Sequence, residues 1–271
     1  MGDMENMGCM KFKILGALLI VALLFGLAGL ASGPVESQDR WSQQVASTLV
    51  NSKGILFFDA KNYNTFFDDF NFFNASLWDT TSVVDSRGSA FAVVDSATGG
   101  LLKISIGAFK NDAANVQSIN APFKLGFSPG RPDSSTVETV FEARFMVSEK
   151  TQSVIVAGLC AEDEDLAGAV QDGIYFWKPD QTDSLYVSAE KAGTGVFKYA
   201  GVAVANRTMV RLKIEWNGSR ARFYVNDVYK TYISTTANIP VVNLKPSFEV
   251  ACGDSVAHFA YLDYILARQK R

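Results

Sequence analysis

The chain has 271 residues, with 25 Lys plus Arg against 28 Asp plus Glu and a formal net charge of −3. No basic excess is present to meet a phosphate backbone, so nucleic acid is not an expected partner. A composition of 48% hydrophobic and 12% aromatic residues excludes a disordered chain, while one histidine (His258) and three cysteines exclude His-rich metal centres and a disulfide-dense scaffold.

Residues 14–31 carry no charge; Lys11 and Lys13 precede them, and Glu36, Asp39 and Arg40 follow. This pattern is either a secretory signal, cleaved after Gly29-Leu30-Ala31, or an uncleaved anchor, because the run just spans about 30 Å of hydrocarbon. Met10 opens a more ordinary signal than Met1 does. Lysines before the run and acids after it put the remainder outside in both cases, secreted or held at the surface. Membrane contact is expected only through this segment, and only if it is uncleaved. Residues 32–54 read as a connector, in which Trp41, Val45 and Leu49 share one face of a short helix.

From residue 55 to 271 the pattern is β, and one domain of this size is routine for a sandwich. Segments 89–96 and 101–107 form a pair through the turn 97–100. Strands follow at 137–147, 153–160, 172–177 and 184–190, with helix–loop ambiguity near 160–170. In 211–216, Leu212, Ile214 and Trp216 alternate with charged residues. Asn217-Gly218 turns that strand into 221–225, and Asn226-Asp227 turns the chain again into 228–233. Segments 246–252 and 256–267 close an all-β, antiparallel, two-sheet sandwich of about a dozen strands.

Several side chains stand out within this frame. If Ile174 and Phe176 enter the core, alternation puts Tyr175 and Trp177 on the outer face, where flat rings can stack on sugars, with Asp172 at the start of the strand as a further ligand candidate; the alternative is that loops cover this face. The run Glu162, Asp163, Glu164 and Asp165 is either a solvated loop or a Ca²⁺ site built on Asp163, Glu164 and Asp165. Cys160 and Cys252 either pair as a disulfide or are two buried thiols. His258 reads as a satisfied strand histidine. No G-x-S-x-G elbow, Cys/His metal spacing or phosphate-binding glycine loop occurs, which removes the usual supports of hydrolase, metalloprotease and nucleotide readings.

The segments FFDDFNFFNASLWDT (66–80), TVFEARFMV (139–147), LKIEWNGSRARFYVNDVYKTY (212–232) and AYLDYILARQ (260–269) resemble, in order and spacing, the concanavalin A-like lectins, laminin G-like modules and glucanases. The resemblance spans nearly all of residues 55–269 and implies a jelly roll. Glucanases of that superfamily carry a Glu-x-Asp-x-x-Glu strand soon after the FEAR-like strand, with its acids on one face as two-carboxylate hydrolysis requires. The corresponding strand here, residues 172–177, has only Asp172. The resemblance and this departure together imply a non-catalytic, secreted or surface-exposed carbohydrate-binding module, not an enzyme. Its partner would be a glycan or a cell-surface protein, and it would need no cofactor, Ca²⁺ being the one metal to consider. The alternatives are a structural or adhesive surface or virion protein and, third, a glycoside hydrolase.

Overall fold

The structure is a computed structural model that describes residues 63–83, 89–94, 100–125, 138–234 and 236–270. The leader at 1–31, the connector at 32–54 with its short helix, and residues 55–62 lie outside the described residues. Fifteen strands form: β1 (Tyr63–Asp68), β2 (Trp78–Val83), β3 (Ala90–Val93), β4 (Leu102–Ser105), β5 (Ala113–Ser118), β6 (Thr139–Val147), β7 (Ser153–Cys160), β8 (Gly173–Lys178), β9 (Ser184–Lys191), β10 (Thr194–Ala203), β11 (Val210–Trp216), β12 (Ala221–Val225), β13 (Val228–Ile233), β14 (Lys245–Cys252) and β15 (Phe259–Lys270). A one-turn helix, α1 (Leu166–Ala169), interrupts β7 and β8. No described helix is long and apolar enough to cross a membrane.

Two antiparallel sheets result. One has eight strands in the order β13-β12-β11-β6-β15-β4-β3, with β1 also on β15, and the other has seven in the order β10-β9-β8-β7-β14-β5-β2. Alternation decides which side chains meet between them. Phe141, Ala143 and Phe145 of β6 and Leu212, Ile214 and Trp216 of β11 point inward from the larger sheet. Ile155, Ala157 and Leu159 of β7, Ile174 and Phe176 of β8, and Phe248 and Val250 of β14 answer them from the smaller one. Phe145 meets Phe248 with ring centroids 5.0 Å apart, and Phe176 meets Phe223 edge-on at 5.3 Å, so each pair bridges the sheets.

Turn chemistry sets the register of the meander. Asn226 and Asp227 both take positive φ (50° and 64°), the geometry that a two-residue turn needs to match strand twist. Gly218 takes φ 88° at the preceding turn, where Asn217 Oδ1 accepts the amides of Ser219 and Arg220. A register shift between Leu262 and Tyr264 moves the inward side of β15 from even to odd positions, so that Ile265 and Ala267 still reach the core.

Candidate functional site

The outer face of the seven-stranded sheet holds the side chains of chemical interest. Ile174 and Phe176 lie in the core, so Tyr175 and Trp177 point the other way, but they meet different surroundings. Residues 161–172, between β7 and β8, fold back over the sheet. Leu166 of α1 and Val170 pack on Val156, Cys160 and Tyr175, with Trp177 at the edge of this second cluster. Tyr175 is thereby buried and Trp177 left half-exposed. Gly158 makes the close packing feasible, since a Cβ there would stand 2.5 Å from Cα and Cβ of Tyr175.

Polar side chains of the sheet tie this cover down. The Asn115 amide donates to the carbonyls of Glu164 (2.9 Å) and Asp163 (3.2 Å). The Gln117 amide donates to Ala161 O (3.1 Å), and its own carbonyl accepts the Asp163 amide (2.9 Å). Glu249 is fully buried; its two oxygens accept the amides of Leu166 (2.9 Å) and Ala167 (2.8 Å). Burial outweighs these bonds and pushes the Glu249 carboxyl up from 4.5 to about 7.

That shift has a sign. Between about pH 4.5 and 7 the folded protein keeps a proton on Glu249 that the unfolded chain has released. Its contribution is present in full below pH 4.5 and is lost as pH rises to 7, on the order of 3 kcal/mol in all. Glu149 is shifted the opposite way, to about 2, by hydrogen bonds from Thr151, so its effect falls below this window. Urea unfolding is therefore expected to show stability declining from pH 5 to 7.5, with Glu249→Gln flattening the slope. A wild-type profile already flat there would refute the assignment.

The acids at 162–165 do not converge into a cage. Glu162 is ion-paired with Lys245 at 2.7 Å. Asp163 Oδ1 accepts the Asp165 amide (3.0 Å), and Asp165 Oδ1 accepts the Gly168 amide (2.9 Å) as the cap of α1. The carbonyls of Asp163 and Glu164 are held by Asn115, so these residues are spent on fixing the loop to the sheet. Of the two alternatives for Cys160 and Cys252, the structure has two free, buried thiols. Cys160 pairs in register with Lys245 and Cys252 with Ser153. At about 3.3 Å per residue the two lie roughly 23 Å apart, beyond the ~7 Å Cα span of a disulfide.

Next to the covered half of the face lies an open one. Trp177, Tyr186, Phe197 and Tyr199 form an aromatic strip across β8, β9 and β10, with centroids 5.9 Å (Trp177–Tyr186), 5.6 Å (Trp177–Phe197) and 5.6 Å (Tyr186–Tyr199) apart. Phe197 and Tyr199 are 49% and 54% exposed, an unusual state for rings that have no core to join. Further along the same face of β9, and buried, stands Glu190, whose carboxyl group accepts from the Tyr175 hydroxyl and from Ser188 Oγ (3.2 Å). Burial and this carboxylate push the Tyr175 hydroxyl up, so it remains a donor. Glu190 pairs in register with Gly173, placing Asp172, whose Oδ1 accepts the Ala192 amide (3.3 Å), at the same end of the β8–β9 pair. Glu249 is not part of this grouping, lying three strand spacings away, about 14 Å. The sequence reading picked out Tyr175, Trp177 and Asp172 and missed Tyr186, Phe197, Tyr199 and Glu190. The signal for Tyr186 and Glu190 was the even-numbered face of the predicted strand 184–190.

Compared with known proteins, the sandwich is similar to a Bacillus licheniformis β-glucanase (TM-score 0.54, 14% identity, 77% of this chain and 98% of that one). It is similar also to a lichenase derived from a mouse hindgut metagenome (0.53, 12%, 75% and 98%) and to a Shewanella oneidensis protein of unknown function (0.55, 12%, 88% and 95%). The fold is the concanavalin A-like jelly roll. No family profile matches this sequence, and no curated protein does. The neighbours correct the expectation of a non-catalytic recognition module that is not an enzyme, because solved jelly rolls similar to this one include several glucanases and a further glycosidic hydrolase. That expectation rested on one missing strand motif. The structure weakens it by placing Asp172, next to Gly173, at the Glu190 end of the β8–β9 pair, so acids need not share one strand.

Proposed function

We propose that this protein is a carbohydrate-active enzyme of the glucanase type, which hydrolyses a β-linked polysaccharide on the outer face of the seven-stranded sheet. The observation that carries the proposal is the exposed aromatic strip on the same face as Glu190. Four rings across three strands suit an extended sugar chain, each ring offering apolar area to a C–H face. Glycoside hydrolysis needs one carboxylic acid to protonate the leaving oxygen and a second carboxylate to act on the sugar or on water. Glu190, oriented by Tyr175 and Ser188, is assigned the first role, and Asp172 the second. The polysaccharide would be met outside the cytoplasm, in agreement with the leader read at 14–31.

The test is the release of reducing ends from mixed-linkage β-glucan by the full chain. Trp177→Ala is expected to raise KM by about tenfold, the cost of roughly 1.4 kcal/mol of stacking, with kcat less affected. Folded protein that neither cleaves nor rearranges β-glucans would overturn the reading.

A further inference from the structure

The far end of the sandwich, where β14 turns into β15, carries a second cluster that the proposed hydrolysis does not use. Cys252, Asp254 and His258 place a thiol sulfur, a carboxylate oxygen and a ring nitrogen within 4.8 Å of one another. His258 Nε2 is 2.9 Å from Asp254 Oδ1, and Cys252 Sγ is 3.6 Å from the same oxygen. In a tetrahedral zinc site, bonds of about 2.0–2.3 Å put donor atoms roughly 3.3–3.8 Å apart, so this trio needs about 1 Å of closure. The backbone around it is pinned: the Cys252 amide donates to Asp112 O (2.8 Å), the Gly253 amide to Gln152 O (2.9 Å), and His258 O accepts the Ile106 amide (3.0 Å).

A fourth group makes this more than a polar turn. Asp112 is fully buried, and neither of its carboxylate oxygens has a hydrogen-bond partner among the described residues. The register Ala251–Ala113 sets Asp112 across from Cys252. Both continue the inward-facing rows of Val250 and Ala114. A buried carboxyl group with neither oxygen hydrogen-bonded is unfavourable, and a cation at this point would supply the missing partner.

We propose that Asp112, Cys252, Asp254 and His258 form a binding site for a divalent cation of the zinc class, which clamps the β5, β14 and β15 ends of the two sheets. One thiolate, one imidazole and two carboxylates suit zinc; calcium and magnesium take oxygen donors only. Binding breaks the Cys252 S–H bond, the proton leaves to solvent, and no oxidant or reductant enters.

The test uses the full chain, stripped with EDTA, kept reduced and titrated with Co²⁺. One equivalent is expected to bind with a thiolate-to-cobalt charge-transfer band in the near ultraviolet, and Zn²⁺ should displace it. Cys252→Ser should abolish the band. His258→Gln and Asp112→Asn should each weaken binding by more than the roughly 100-fold that loss of an outer-shell partner costs. Should Cys252→Ser fail to fold, His258→Gln, at the rim of the cluster, carries the test. Folded wild-type protein that shows no charge-transfer band, or a band unchanged in His258→Gln, overturns the proposal.

Discussion

Glu190→Gln is expected to leave the protein folded and to lower β-glucan hydrolysis by at least about a thousandfold, within the range that proton transfer by a positioned side chain contributes. Gln keeps the size of the side chain and an oxygen that can accept from the Tyr175 hydroxyl and from Ser188 Oγ, so the outer face should not rearrange. What is lost is the capacity of the side chain to exchange a proton. Gly195, across from Glu190 on β10, also bears on the position of this acid: a Cβ there would stand 2.1 Å from Glu190 Cγ. Gly195→Ala should therefore displace the carboxyl and reduce kcat more than it raises KM, the reverse of the split expected for Trp177→Ala. The measurement is steady-state hydrolysis with circular dichroism of each variant. Wild-type turnover in Glu190→Gln would remove Glu190 from the reaction.

Phe248→Ala is expected to destabilise the domain by about 3–5 kcal/mol, the usual result of truncating a fully buried aromatic residue. Phe248 is completely buried on β14, between β5 and β7, and its ring centroid lies 5.0 Å from that of Phe145 on the opposing sheet. Truncation removes the apolar area and leaves a cavity that two strands hydrogen-bonded on both sides cannot close. For a domain of this size the melting temperature should fall by on the order of 10 °C. Phe248→Leu should cost much less, because most of the volume stays filled. Urea unfolding reads both variants. A loss below about 1 kcal/mol for the alanine variant would mean that the sheets are not bridged at this point.

Most of the architecture was legible in the sequence because β structure writes itself as alternation with period two. The rows Leu212-Ile214-Trp216 and Ala221-Phe223-Val225 announced their inward faces, and Asn226-Asp227 its turn, since few residues accept φ > 0. The opposite orientation of Ile174 and Tyr175 followed from the same rule. Strands β1, β2, β5 and β10 were harder to see. In β5, AANVQS, Asn115 and Gln117 alternate with Ala114 and Val116, but the run is short and weakly apolar, and its polar face is buried beneath the folded-back loop rather than solvated.

What only the tertiary structure decided is what covers each face and which distant residues meet. The segment 161–172 could have stood in solvent as an acidic loop; its cover of Tyr175 depends on Glu249, Asn115 and Gln117, which lie on strands far away in sequence. The thiols of Cys160 and Cys252 looked alike in sequence, and register alone put them at opposite ends of β7 and β14. The same register brought Asp112 beside Cys252, and Asp172 to the Glu190 end of the β8–β9 pair. Alternation is local and can be read along one strand. Strand order and register are set by which apolar rows fit together across the core, so the sequence by itself determined the sandwich and its inward rows, while packing chose the residues that became chemical neighbours.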